Sequence, residues 1–268
     1  MFLLKKCFSE HNIKTGSKLK LGTLYEYRET ERTDLVDHQE GTFTFEVKIN
    51  GTVTLDRKWH NTLFRGLCVG DDNGVQIPSN THIHATNYDY IGHSENTVTL
   101  RDTLATIEKN EENSFIFCMS LIKEKNEHVN FFQNYNDQWF VAYENFETAG
   151  HLIGQSLLLE ILLQYKKGTP VIPKEFCNND LRVRVLANKV TYQPRTISIS
   201  NNDNMTELQQ LLNSLQEVAF TKPSRFKLEQ EFRYQFLLLS NGQIVTPTVR
   251  ELLVDATLIK DLATLFNT

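Results

Sequence analysis

Apolar and polar residues alternate most regularly between residues 43 and 55. Phe43, Phe45, Val47 and Ile49 are separated by threonine or charged residues, and Val53 and Leu55 resume the pattern. A period of two marks a half-buried strand. Asn50-Gly51 lies between the two runs and predicts a β-hairpin there. Residues 115–122 are apolar at nearly every position, which fits a central strand buried on both faces. Further strands are expected over 2–8, 81–90, 97–101, 182–193 and 230–239. Residues 128–133 and 138–143 read as a hairpin around Asn134–Asp137, and residues 19–28 as an extended or turn-strand segment around Gly22.

Helical spacing appears in three places. Residues 151–167 carry an apolar stripe ending in Lys166-Lys167-Gly168, a normal helix stop. Residues 204–219 place Met205, Leu208, Leu211, Leu212, Leu215 and Val218 along one face. A third helix is predicted over 248–266, after Pro247. Strands and helices do not alternate regularly, so the expected class is α+β. The chain has no repeat or low-complexity tract, and glycine and proline number only 12 and 6. One unit over residues 1–268 is therefore the simplest organisation.

Composition narrows the picture. Hydrophobic residues make up 40% and charged residues 23% of the 268, ordinary globular values. The formal net charge of −5 gives no global sign of nucleic-acid binding, though a local basic groove stays open. Cys7, Cys68, Cys118 and Cys177 are widely spaced and form no Cys-x-x-Cys, so a zinc knuckle or disulfide framework is not expected. A reducing compartment, the cytoplasm, is the expectation. No apolar run approaches the roughly 18 residues of a membrane helix. The N-terminus runs apolar then basic, the reverse of a secretory signal.

The segment Phe226–Phe236 carries the most informative chemistry. As a strand it puts Glu229, Glu231, Arg233 and Gln235 on one face and Phe232, Tyr234, Phe236 and Leu238 on the other. Core burial explains the apolar face. The polar face sets two carboxylates about 7 Å apart along the strand, with an arginine next. Like charges raise one carboxylate's pKa while arginine lowers the other. Such a group can steady positive charge on a sugar. A solvated face with an internal ion pair accounts for the same pattern. Upstream, Tyr25, Tyr27 and Arg28 combine rings that can stack on a planar group with a guanidinium fork suited to pyrophosphate. Packing tyrosines, with Arg28 paired to Asp37 or Glu40, are the plainer account. Ser120 closes the apolar strand, and a backbone hydrogen bond would satisfy it. His82 and His84 share a strand face but have no third ligand at metal spacing, so no metal site is expected. His11 reads as a surface residue. Phosphate loops, Gly-x-Gly-x-x-Gly and Gly-x-Ser-x-Gly are all missing.

Four motifs occur in order: Gly22-Thr23-Leu24 with Tyr27-Arg28, Asp37 with Glu40-Gly41, Phe117-Cys118-Met119-Ser120, and Glu229-x-Glu231-Phe232-Arg233. Their order over residues 2–240 resembles a widespread bacterial domain family of unassigned function. That family is in turn similar to ADP-ribosyltransferases, including toxins of phage-defence systems. The resemblance implies a split β-sheet core with flanking helices that binds NAD in a cleft. By it, Arg28 matches an early-strand arginine holding NAD phosphates, and Ser120 a serine near the nicotinamide ribose. Glu231 matches the late catalytic glutamate, and Glu229 the residue two before it that orients the acceptor. Tyr25 and Tyr27 would line the NAD site. The implied acceptor is a macromolecule, RNA or DNA ahead of protein, and an antitoxin protein is an allowed partner; no membrane partner is expected. The alternative is a non-catalytic binding or sensor module of a bacterial defence system. A metal-dependent nuclease would need Asp37, Glu40, Asp71 and Asp72 in one cluster, and no spacing unites them.

Overall fold

The computed structural model describes residues 1–29, 40–71, 74–78, 80–124, 135–193, 196–199 and 204–265. In chain order the strands are β1 (Phe2–Cys7), β2 (Lys18–Thr23), β3 (Thr42–Ile49), β4 (Thr52–Asp56), β5 (Thr81–His93), β6 (Thr97–Asn110), β7 (Phe115–Ile122), β8 (Asp137–Ala142), β9 (Arg182–Lys189), β10 (Thr191–Gln193), β11 (Thr196–Ile199), β12 (Thr221–Pro223), β13 (Glu231–Ser240), β14 (Gln243–Val245), β15 (Glu251–Asp255) and β16 (Thr264–Leu265). The helices are α1 (Leu24–Glu29), α2 (Arg57–Leu63), α3 (Phe146–Lys166), α4 (Asn204–Gln216) and α5 (Thr257–Lys260). The class is α+β, dominated by sheet. Among the described residues, no helix is long and apolar enough to cross a membrane.

The chain divides into two compact units. One comprises Met1–Glu40, Glu112–Tyr192 and Arg225–Thr268; the other comprises Gly41–Glu111 and Gln193–Ser224. In the second, the long strand β6 pairs with β5 throughout and with both β3 and β4. Leu208, Leu211, Leu212 and Leu215 of α4 bury their stripe against Phe43, Phe45 and Val47, as the helical spacing predicts. The hairpin expected at Asn50-Gly51 does not form. Strands β3 and β4 run one after the other along β6, pairing with residues 110–104 and then 101–97. Gly51 (φ +69) and Asp102 (φ +44) make the step between them, and the Asp102 carboxylate accepts from the Gly51 N–H at 2.7 Å. The parity of the apolar positions demands this. A two-residue hairpin would set Ile49 opposite Thr52 and turn Val53 and Leu55 to the solvent face, whereas all three are buried.

In the first unit β13 lies between β7 and β9, and α3 covers one face. Phe232, Tyr234 and Phe236 pack there with Ala149, Ile153 and Leu157. The helix comes close at Gly150, where a Cβ would meet the Tyr234 ring at 2.9 Å and Val185 at 3.1 Å. The sheet then forks. On the edge of β7 away from β13, β1 pairs with residues 120–122 and β2 with residues 115–116. Neither pairs with Phe117–Met119. β1 leaves with β8, and β2 leaves with β15.

Three other expectations are corrected here. Residues 248–266 hold β15, the short α5 and β16 rather than one helix, because Leu252 and Val254 alternate with exposed neighbours and pair with β2. The segment 19–28 stays extended only to Thr23 and then turns helical. Finally, Glu229 ends a 3-10 turn (Ser224–Glu229) and Gln230 takes φ +44, so the strand face begins at Glu231. The first strand of the hairpin expected at 128–143 lies outside the described residues.

Candidate functional site

Strand β13 is buried on both faces, so its polar side is not a solvated surface. Glu231, Arg233 and Gln235 are 5%, 1% and 2% exposed. Desolvating an ion costs several kcal/mol, so charges at such depth must be paired. Arg233 does the pairing. Its Nε donates to Glu231 Oε1 at 2.6 Å, and its Nη1 to Glu40 Oε1 at 2.6 Å. Burial works against the guanidinium charge, but Glu231 and Glu40 outweigh it and hold Arg233 as a cation. Gln235 donates to Ser114 Oγ at 3.1 Å.

The early motif closes on this triad. Thr23 ends β2 and its Oγ1 accepts from the Glu26 N–H at 3.2 Å, capping α1. Gly22 is required because α1 folds back over β2, and a Cβ there would meet the Glu26 carboxylate and the Tyr27 ring. Arg28 therefore sits on a helix, not on an early strand. Its Nε donates to the Glu40 carbonyl at 2.5 Å, and its guanidinium lies 4.1 Å from the centre of the exposed Tyr25 ring. Tyr27 points inward. Burial, then Cys118 and Glu231, hold its phenol well above the ordinary range against an opposing pull from Arg233, so it stays neutral. Ser120 stands directly opposite Glu231 in the β7–β13 register, and Cys118 opposite Arg233.

No protein-family model, no curated protein and no solved structure matches the chain.

Arg28, Tyr27, Ser120 and Glu231 thus meet in one neighbourhood of the first unit, tied together by Glu40 and Arg233. Glu229 stands apart from their strand face. Asp37, the first residue of its motif, lies outside the described residues. His82 and His84 are exposed on β5, and no cluster of three His, Cys, Asp or Glu suited to a metal occurs among the described residues.

Sequence reasoning missed Lys5. This β1 residue enters the fork, and its Nζ donates to the Cys118 carbonyl at 2.9 Å and lies 4.6 Å from the centre of the Phe117 ring. Burial, helped by Lys20, lowers its amine pKa against Cys118, Cys7 and Glu231. Cys7 is not a poised nucleophile, since burial and then Asp137 push its thiol up to about 11. A pocket of about 210 Å³ opens in the fork beside Lys5, lined also by Tyr27, Phe117 and Trp139.

Proposed function

We propose that the chain is an NAD-dependent ADP-ribosyltransferase, toxin-like, acting on a macromolecular acceptor, with RNA or DNA ahead of protein. One observation carries the reading. Arg28, Ser120 and Glu231, far apart in sequence, share one neighbourhood, with the late acid opposite the serine and linked through Arg233 and Glu40 to the early arginine. The reading takes the sheet that forks beside them for the split core of that enzyme class. In the proposed reaction the bond from the nicotinamide nitrogen to the ribose breaks, and nicotinamide leaves with the electron pair. Glu231 steadies the cationic sugar, and an acceptor nucleophile bonds to the same carbon and gives up its proton. Arg28 serves the pyrophosphate, Ser120 the ribose, and Tyr25 and Tyr27 the flat rings. Glu229, at the mouth of the strand, orients the acceptor. An antitoxin would cover this site in the resting cell.

The test is Glu231→Gln. The amide still accepts from Arg233, so the fold is expected to survive. Losing one preorganised charge should lower transfer by about 10²–10³. Transfer of label from NAD to cellular RNA, DNA and protein reads the rate and the acceptor together. A folded variant with unchanged transfer removes Glu231 from the chemistry.

A second reading, a non-catalytic binding or sensor module of a bacterial defence system, is favoured by the 5% exposure of Glu231 and its commitment to Arg233. Calorimetry separates the two. Saturable micromolar NAD binding supports the enzyme; no heat at millimolar NAD supports the module.

A further inference from the structure

The fork in the sheet leaves a built cavity that shares only Tyr27 with the residues given roles in the transferase reading. β1 holds to β8 as far as Cys7, and β2 holds to β15 from Lys18 to Gly22, while both leave the middle of β7. The wedge between them is the pocket of about 210 Å³. Aromatic side chains line it. Phe8 is exposed and Tyr27 and Tyr135 are half-buried along it, while the buried Phe117 and Trp139, stacked on each other at 6.1 Å, close it from below. At its base an ammonium has three donors, and among the described residues Lys5 spends one, on the Cys118 carbonyl. Charge favours an anion, since Lys5, Lys6 and Lys20 line the space against Glu26. Lys20 is held by Glu26 at 3.0 Å and by Glu251, whereas Lys5 has no carboxylate in contact among the described residues.

Size selects the ligand class. A cavity of about 150 Å³ holds benzene, and pockets for drug-sized molecules begin near 300 Å³. The fork therefore suits one ring with a small charged group and is too small for a whole dinucleotide. A single point charge suits a carboxylate, while phosphate is met by several converging donors. We propose that the fork pocket binds a small aromatic carboxylate, its ring against Phe8, Tyr27 and Tyr135 and its carboxylate on the Lys5 ammonium. The site stands independently of ADP-ribosyl transfer.

Calorimetry of the full chain with benzoate, benzamide and cyclohexanecarboxylate tests this. Benzoate should bind saturably below about 1 mM. Benzamide keeps the ring and loses the charge, and should bind about ten- to a hundred-fold more weakly, the discrimination of a hydrogen bond to a charged group. Cyclohexanecarboxylate keeps the charge and loses the flat ring, and should also be weaker. Lys5→Gln, which retains a donor for the Cys118 carbonyl, should abolish the preference for acid over amide, and Lys5→Arg should keep part of it. Should Lys5→Gln fail to fold, reductive methylation of the wild type gives the answer, because benzoate should protect Lys5 selectively. Absence of saturable benzoate binding overturns the proposal. So does equal affinity for acid and amide, or benzoate binding unchanged by Lys5→Gln, or a Lys5 labelled equally with and without benzoate. These outcomes are read from benzoate and its analogues, and the transferase reading from NAD-dependent transfer, so the two proposals fail separately.

Discussion

Replacing Arg233 with methionine removes the cation held between two buried carboxylates. Glu231 and Glu40 are 5% and 2% exposed, and each gives one oxygen to the guanidinium at 2.6 Å. Without it, two desolvated anions face each other with no counter-charge. Breaking a buried ion pair from one side costs about 3–5 kcal/mol, a large share of the roughly 5–15 kcal/mol that holds a domain together. Urea unfolding at pH 7, followed by tryptophan fluorescence, should show a midpoint lower by roughly 1–2 M at a slope of about 3 kcal/mol per M. The control removes all three charges in Glu40→Gln/Arg233→Met/Glu231→Gln. Amides and a thioether of similar volume leave no stranded charge, so this variant should lose under about 2 kcal/mol. A single variant that loses less than about 1 kcal/mol would mean that the triad is solvated. A triple variant as unstable as the single one would mean that the damage is steric and not electrostatic. Either outcome refutes the account of the site as charge balance in a dry interior.

Two further perturbations probe the scaffold. Gly150→Ala should cost about 1–3 kcal/mol, because the new methyl meets the rigid Tyr234 ring at 2.9 Å; thermal unfolding checks it, and a neutral result would show that α3 can move off the sheet. His60 is fully buried, its Nδ1 beside Asn61 Oδ1 at 2.8 Å and its Nε2 beside the Tyr88 hydroxyl at 2.9 Å. Burial lowers its pKa against an opposing push from Asn61, so its contribution to stability is complete above about pH 6.5 and drains as pH falls from there through the folded-state value, by at most about 1.4 kcal/mol per pH unit. Stability measured from pH 7.5 to 5 should show this slope, and His60→Gln should flatten it.

What the sequence made legible follows from what each pattern encodes. Alternation at 43–55 and the stripe at 208–215 report which side of an element is dry, and those elements formed as read. Alternation at 231–238 marked a strand, but its polar side is dry as well. Pairing is another matter. Asn50-Gly51 is compatible with a hairpin and with a step along a long strand, and only the face parity of Ile49 and Val53 separates them. Over 252–254 a two-residue alternation competed with a longer apolar run, and pairing with β2 decided it. Thr23 followed by Glu26 is a helix-start signature that could have placed Arg28 on a helix. The triad was half visible. Glu231 and Arg233 are neighbours on one strand face, but Glu40 joins them across 193 residues, and no local pattern carries that. Lys5 was invisible because its setting is a gap between strands, and a gap leaves no mark on the residues that border it.

The fork and the triad share β7, which makes their coupling measurable. Cys118 stands opposite Arg233 on one edge of the strand and gives its carbonyl to Lys5 on the other. Glu40, Arg233 and Glu231 together carry one net negative charge, and Glu231 supports the charged form of Lys5. The ammonium and the Glu231 carboxylate therefore favour each other's charged forms, while the ammonium also faces the pocket. Lys5→Gln alone removes a cation favoured by Glu231, and Glu231→Gln alone removes the carboxylate favoured by Lys5, so the two together should cost less than the sum. A double-mutant cycle on unfolding free energy should give a coupling of about 0.5–3 kcal/mol, the range for residues within one network. The sign matters as much as the size, because only a double variant more stable than additivity allows fits a compensating pair of charges. Additivity within about 0.5 kcal/mol would separate the two sites. In that case an anion entering the fork would leave the carboxylate of Glu231 undisturbed.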